Sequence, residues 1–174
     1  IVGWLASVLV AVVFATIIGL CVSYLHMHAF IASLGMQLAA YGFLCLFMDS
    51  NGNNGQPLSN LSDKYGNFVK GALNIGGVRI PYLIFYMIIV GVIMWLIWNK
   101  TILGKNMYAI GGNIEAARVS GINVEKYIVL IFILSGICVG TGSFLECSRI
   151  GSVTAVTGQN YEFDAISGAV IGGV

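Results

Sequence analysis

Residues 1–25, IVGWLASVLVAVVFATIIGLCVSYL, contain no Asp, Glu, Lys or Arg, and their reading decides the fold. A helix crossing ~30 Å of hydrocarbon needs about 20 apolar residues, and this stretch supplies them. The pattern then recurs along the chain. Residues 29–48 form a second apolar segment, separated from the first only by His26-Met27-His28. Residues 81–98 form a third, opened by Pro81 where a missing N–H costs least. Residues 127–147 form a fourth, and residues 165–174 begin a fifth, shorter one. The runs are continuous and do not alternate with a period of two, so they predict spanning helices and not a membrane barrel.

Composition points the same way. Of 174 residues, 58% are hydrophobic and 9% charged, against about 25% charged in an ordinary soluble domain. That excludes a disordered chain, which needs high charge and low hydrophobicity. It also excludes an electrostatic nucleic-acid binder, which needs a basic patch. The expected fold class is all-α, a polytopic helical integral membrane protein, with residues 1–174 as one transmembrane unit. Because the chain starts at Ile1 and stops at Val174 inside apolar stretches, it reads as the interior of a longer protein.

The connecting stretches are polar. Residues 49–80 carry the turn-forming pairs Asn51-Gly52 and Asn54-Gly55, with room for a short amphipathic helix near residues 63–73. Residues 99–126 hold Lys100, Lys105, Arg118 and Lys126, whereas residues 148–164 hold only Arg149. Residues 49–80 hold three, Lys64, Lys70 and Arg79, so a narrow excess of Lys and Arg favours residues 99–126 as the cytoplasmic loop. Trp95, Trp98, Tyr108 and Tyr127 then fit an aromatic belt at that interface. Residues 26–28 are either a tight turn between two spans or an interruption in a broken helix, and both readings stay open. Gly136-x-x-x-Gly140 and Gly168-x-x-x-Gly172 have the spacing that lets helix backbones approach closely. Packing is the plain reading of both; a pore lining is the sharper one.

Within the basic loop, residues 111–121 read GGNIEAARVSG and form a fully punctuated short helix. Asn113 is the expected N-cap, Glu115 sits in the first turn where the helix dipole favours an anion, Arg118 lies near the other end, and Gly121 is placed for the left-handed C′ conformation. So short a helix is marginal alone in water and must lean on the membrane domain or on a second protein.

Glu115-Ala116-Ala117 followed by Gly121 resembles the E-A-A-x-x-x-G pattern of permease subunits of bacterial binding-protein-dependent ABC importers. The surrounding text resembles the sugar-permease branch of that family: Asn99-Lys100-Thr101, Gly104-Lys105-Asn106, Tyr108-Ala109-Ile110-Gly111-Gly112-Asn113, Arg149-Ile150-Gly151-Ser152, Tyr161-Glu162-Phe163-Asp164, and upstream Gln37-Leu38-Ala39-Ala40-Tyr41-Gly42. The resemblance covers essentially the whole chain. It is nearest to the galactose/methyl-galactoside permeases and more distant from those for ribose, xylose and arabinose. In the pentose relatives Arg is more usual at the place of Tyr41, which favours galactosides. Phe163 stands where Leu is more usual and Ser167-Gly168 where a pair of Ala is, departures that bear on cargo more than on family.

The resemblance implies a transport subunit and not an enzyme. A periplasmic binding protein captures the sugar, the permease works as a pair of copies around a central path through the bacterial inner membrane, and a separate cytoplasmic ATPase supplies the drive. It implies the many-span architecture shared with the vitamin B12 importer's membrane subunit, about ten spans in the complete protein. Gly111, Gly112, Asn113, Glu115, Ala116, Ala117, Arg118 and Gly121 would then form the coupling helix that docks on the ATPase. The chain itself contains no G-x-x-x-x-G-K-[S/T]; residues 71–78 lack the Lys and the hydroxyl such a site needs. No cofactor, metal or nucleic acid is expected.

A neutral sugar needs hydrogen-bonding and aromatic groups along its path, which nominates Gln37, Asn160 and Tyr161, with Glu146 and Arg149 as ionisable groups at a span end. Their plain alternative is a set of interfacial anchors. His26-x-His28 places two rings in different directions on a helix and has no Cys or acidic neighbour in sequence. Cys21, Cys45, Cys138 and Cys147 lack C-x-x-C spacing and read as small hydrophobes. Two other classes remain open. A secondary transporter would need an ionisable residue deep in a span, and no span carries one at its centre. A structural membrane protein would not depend on residues 111–121.

Overall fold

In hydrocarbon a backbone must satisfy its own polar groups, so the apolar segments become helices. This computed structural model describes residues 2–50, 56–57, 66, 69–75, 78–154 and 156–173. Its element order is α1 (Val2–Tyr24), α2 (Ala29–Ser50), β1 (Ala72–Ile75), β2 (Val78–Pro81), α3 (Tyr82–Lys100), α4 (Ile102–Gly112), α5 (Ile114–Val119), α6 (Val124–Ile150) and α7 (Tyr161–Ile171). Helices α1, α2, α3 and α6 are each long and apolar enough to cross a membrane.

The distribution of apolar side chains is the reverse of a soluble domain. Among the described residues only Ala15, Met48, Val69, Met107, Ile110, Ala117 and Val124 are buried hydrophobics, while α3 buries nothing at all. Large side chains such as Leu9, Phe43, Met87 and Val139 face outward. Hydroxyls on these helices bond back to the preceding turn: Thr16 to the Val12 carbonyl at 2.7 Å, Ser33 to Ala29 at 2.8 Å and Thr141 to Ile137 at 2.8 Å. Each such bond hides a polar group from lipid. Among the described residues, no buried side-chain nitrogen or oxygen lacks a partner.

The principal packing unit is the antiparallel pair of α1 and α6. A Cβ added to Gly140 would stand 2.6 Å from the Val8 Cα, and one added to Gly136 would stand 2.8 Å from the Ala15 Cβ and 3.0 Å from the Val12 Cα. The two glycines thus form the groove that α1 enters, which is the packing role of Gly136-x-x-x-Gly140. Hydrogen bonds lie along the same seam, from Ser7 Oγ to the Gly140 carbonyl at 2.8 Å and from Ser23 Oγ to the Glu125 carbonyl at 2.9 Å. Gly168 behaves otherwise. Nothing lies within 4 Å of a Cβ built there, so among the described residues the second small-residue motif packs against nothing.

The break at residues 25–28 is a reversal. His26 adopts φ 51°, and the N–H groups of Leu25 and Met27 both reach back to the Cys21 carbonyl at 3.2 and 3.4 Å. Gln37 on α2 bonds to Glu162, whose neighbour Tyr161 bonds to Glu146 near the far end of α6. A helix continuing onward from α1 would lead away from that end, so α2 runs back.

Helix α6 extends three residues beyond the apolar segment 127–147 at each end. Its ends are set by capping and not by hydropathy: Asn123 Oδ1 accepts the Lys126 N–H at 3.0 Å, and Gly151 closes the helix at φ 79°. Of the helix expected near residues 63–73, Gly66, Val69 and Lys70 are helical, while residues 63–65 and 67–68 lie outside the described residues. Its last residue, Leu73, is a correction, since it lies in β1, opposite Ile80 of β2 in an antiparallel pair. The β-branched Val78 and Ile80 on one side of Gly76-Gly77 and Ile75 on the other favour strands. From β2 the chain passes directly into α3, with the Tyr82 N–H bonded to the Gly71 carbonyl at 3.0 Å.

Candidate functional site

Two polar regions lie at opposite ends of the α1–α6 pair. At the basic end, α3 gives way to α4 at Thr101, whose hydroxyl accepts from the Gly104 N–H and donates to the Ile97 carbonyl at 2.6 Å. Lys100 stands over the Trp95 ring, 6.0 Å from its centroid, a cation–π placement suited to an interface. Asn113 then serves two helices at once. Its N–H closes α4 on the Ala109 carbonyl at 3.1 Å, and its Oδ1 accepts the Ala116 N–H at 3.0 Å to open α5.

Helix α5 is six residues long and ends as the sequence predicts. Gly121 takes φ 83°, its N–H meets the Arg118 carbonyl at 3.0 Å, and the Ile122 N–H meets the Ala117 carbonyl at 3.1 Å. Those two bonds are the Schellman pattern, and they satisfy carbonyls that the last turn leaves without partners.

The helix leans on the membrane domain through one residue. Ala117 is 3% exposed and forms a buried cluster with Ile110 of α4 and Val124 of α6, flanked by Ile122, Tyr127 and Ile128. At 100° per residue, Glu115 and Val119 fall on the opposite side. Val119 is 90% exposed and Ile114 49% exposed. The Glu115 side chain is likewise open to solvent. Arg118 bridges to Glu125 of α6 at 2.8 Å and lies 3.8 Å from Glu115. Ala116 is exposed, and a Cβ on Gly111 or Gly112 would meet nothing within 4 Å. The expected residues therefore divide: Asn113 and Gly121 shape the helix, Ala117 seats it, Glu115 and Ala116 are presented outward, and Arg118 ties it down. Glu125 was missed by sequence reasoning. Its signal was an acidic residue in the first turn of α6, seven residues beyond Arg118.

At the other end, three of the five residues nominated for the path, Glu146, Arg149 and Tyr161, share one set of contacts. Arg149 holds Glu146 in a bidentate pair, Nε to Oε2 at 2.9 Å and Nη2 to Oε1 at 2.5 Å. The Tyr161 hydroxyl donates to Glu146 Oε1 at 3.0 Å. Gln37 makes a separate contact, donating its amide to Oε1 of Glu162, the residue after Tyr161, at 3.2 Å. Asn160 adopts φ 70° before α7, with no side-chain capping bond, and stands apart from that set. Gln37 lies eight residues into α2, ~12 Å along the helix from its start. Exposed groups of this polarity do not face lipid tails; they line a watery space or meet other protein. Among the described residues, no group of three or more His, Cys, Asp or Glu is placed to hold a metal ion.

Comparisons with known proteins bear on both regions. Residues 1–174 match the family described as branched-chain amino acid transport system / permease component. The galactose/methyl galactoside import permease protein MglC of Haemophilus influenzae is 40% identical over 170 residues, covering 98% of this chain and 50% of that protein. Its Escherichia coli namesake is 41% identical over 165 residues, covering 95% of this chain and 48% of that protein. The ribose import permease protein RbsC of Bacillus subtilis is 34% identical over 155 residues, covering 89% of this chain and 46% of that protein. The chain thus spans about half the length of these relatives. No solved structure matches it significantly. With its apolar helices, its small-residue seam and a match over every residue, the chain belongs to the branched-chain amino acid transport system / permease component family, and within it resembles the sugar import permeases.

Proposed function

We propose that the chain forms part of the translocation path of an ATP-driven sugar importer and is coupled to a separate ATPase subunit through residues 111–121. The observation that carries this reading is the orientation of α5. Its underside is anchored by Ala117, while Ile114, Glu115 and Val119 are offered outward at the basic end. An apolar residue as exposed as Val119, on a capped helix outside the apolar segments, is suited to a protein partner. Docking there drives transport only if its free energy differs between the inward-open and outward-open states. Glu115 and Gly121 transmit motion in this scheme and perform no chemistry.

The cargo is galactose or methyl galactoside, in line with the two MglC relatives. A permease for another monosaccharide is the second reading, favoured by the similarity to a ribose permease. Gln37, Glu146, Arg149, Asn160 and Tyr161 serve the path, where the Glu146–Arg149 pair keeps net charge away from a neutral sugar and leaves amide, phenol and carboxylate groups for its hydroxyls. The remaining partners are a periplasmic sugar-binding protein and a second copy of the permease, in the inner membrane of a bacterium and with the many-span architecture of the vitamin B12 importer's membrane subunit.

Val119→Asp in the complete permease tests the coupling assignment. The expected result is normal membrane insertion with loss of ATPase co-purification and of sugar uptake. Insertion with undiminished uptake would overturn it. Competition of labelled galactose uptake by unlabelled methyl galactoside, ribose, xylose and arabinose distinguishes the two cargo readings.

A further inference from the structure

Three elements meet at one residue in the first turn of α6. Ser23, in the last turn of α1, donates its hydroxyl to the Glu125 carbonyl at 2.9 Å. Arg118, in the last turn of α5, donates from Nη2 to Glu125 Oε1 at 2.8 Å. The same turn of α6 is locked by its Asn123 cap, one residue along, at Lys126. From here α1 and α6 run together, with Gly19 placed where a Cβ would stand 3.0 Å from the Phe132 Cβ and 3.3 Å from the Val129 Cα. They move as one body, because neither can slide past the other without driving side chains into backbone.

Helix α5 is also joined to α6 by the four-residue turn 120–123 and by the Ala117 cluster, which is apolar and so sets no direction. The Arg118–Glu125 contact does set one. Arg118 also lies 3.8 Å from Glu115, on the outward side of α5. Its guanidinium therefore stands between the exposed face of the short helix and the root of the spans.

We propose that Glu125 is a positioning residue, the joint through which a displacement of α5 is passed to α1 and α6 together. The inference rests on the reading of α5 as an ATPase dock and adds where the movement goes next. The Arg118 side chain is 50% exposed and that of Glu125 32%, so the joint lies at the water-facing edge, where an ion pair can shift its geometry without a large desolvation cost. Only the positions of the spans respond to it; sugar capture takes place at the other end.

The test uses the complete importer with its ATPase and sugar-binding protein, reconstituted in liposomes. Glu125→Gln is expected to lower the maximal uptake rate about fivefold, the lower end of ordinary coupling free energies, with the half-saturating sugar concentration unchanged and the ATPase still co-purifying. Arg118→Gln should lower the maximal uptake rate likewise, and the double variant should be no slower than either single, since both remove one contact. Glu125→Asp should recover part of the rate. Unchanged uptake in Glu125→Gln, losses that multiply in the double variant, or a raised half-saturating concentration would each overturn the proposal. If Glu125→Gln fails to insert, Arg118→Gln carries the same comparison from the α5 side. Failure of the unaltered permease to retain any ATPase would instead overturn the dock reading beneath it, whereas loss of the ATPase in Glu125→Gln alone would make Glu125 part of the dock and end its role as a joint.

Discussion

Helices α3 and α6 are both long, apolar and uncharged through their middle, yet α6 is packed along its length while α3 meets it with the Met94 sulfur, 3.8 Å from the Cys138 thiol. Helix α6 buries Gly136, Gly140 and Ser148 and holds α1 along its length, whereas α3 buries no residue. Hydrophobicity cannot explain the difference, because lipid tails are as apolar as Leu and Ile and supply no drive for one helix to seek another. The distinction lies in small residues and hydroxyls at matching heights. Gly19, Gly136 and Gly140 let backbones approach, and Ser7 and Ser23 then find carbonyls across the seam at 2.8 and 2.9 Å. On α3 the single glycine, Gly91, has nothing within 4 Å. Association in this molecule follows van der Waals contact and hydrogen bonding between close backbones.

That contrast can be broken most sharply at Gly140. Replacing it with Leu would drive four carbons towards the Val8 Cα, a position already 2.6 Å from a modest Cβ. Overpacking there is expected to cost about 3 kcal/mol or more and to abolish the monodisperse permease on size-exclusion chromatography in detergent. Gly136→Ala adds a single carbon, 2.8 Å from the Ala15 Cβ and 3.0 Å from the Val12 Cα; a loss of about 1–3 kcal/mol would appear as a lower thermal midpoint. Gly121→Ala leaves the seam alone but forces a left-handed residue at φ 83°, a cost of about 1 kcal/mol. It should loosen α5 against protease without lowering the midpoint as far as Gly136→Ala does. Gly91→Ala is the control on α3. It should leave the midpoint unchanged or raise it slightly, since helix propensity favours Ala by about 0.5–1 kcal/mol. A fall as large as that of Gly136→Ala would mean that α3 is packed against something this chain does not supply.

Much of this was legible in the sequence where the cause is local. The apolar lengths mark the four long helices, and residues 111–121 spell out their own cap, helix and stop, down to the left-handed Gly121. Local chemistry failed where two elements compete or cooperate. Leu73 belongs to a strand because Ile80 of β2 pairs with it, a contact that helical periodicity cannot register. The ends of α6 outrun its apolar stretch because Asn123 and Gly151 set them. At the candidate sites, residue types suggested Gln37, Glu146, Arg149 and Tyr161 separately, and only their placement in space showed that Glu146 joins Arg149 to Tyr161 while Gln37 pairs with Glu162. Asn160 remained outside the contacts it was expected to share.

By itself, then, the sequence determined that this chain lives in lipid, how many long helices it makes and where its short capped helix lies. These follow from transfer of side chains and from hydrogen bonds within a few residues. The tertiary structure alone decided that α1 pairs with α6 and not α3, that residues 25–28 reverse the chain, and that Arg118 reaches Glu125. Those outcomes depend on distances between residues far apart in the chain, where a few tenths of an ångström separate a close approach from a clash. Neither composition nor periodicity carries that information.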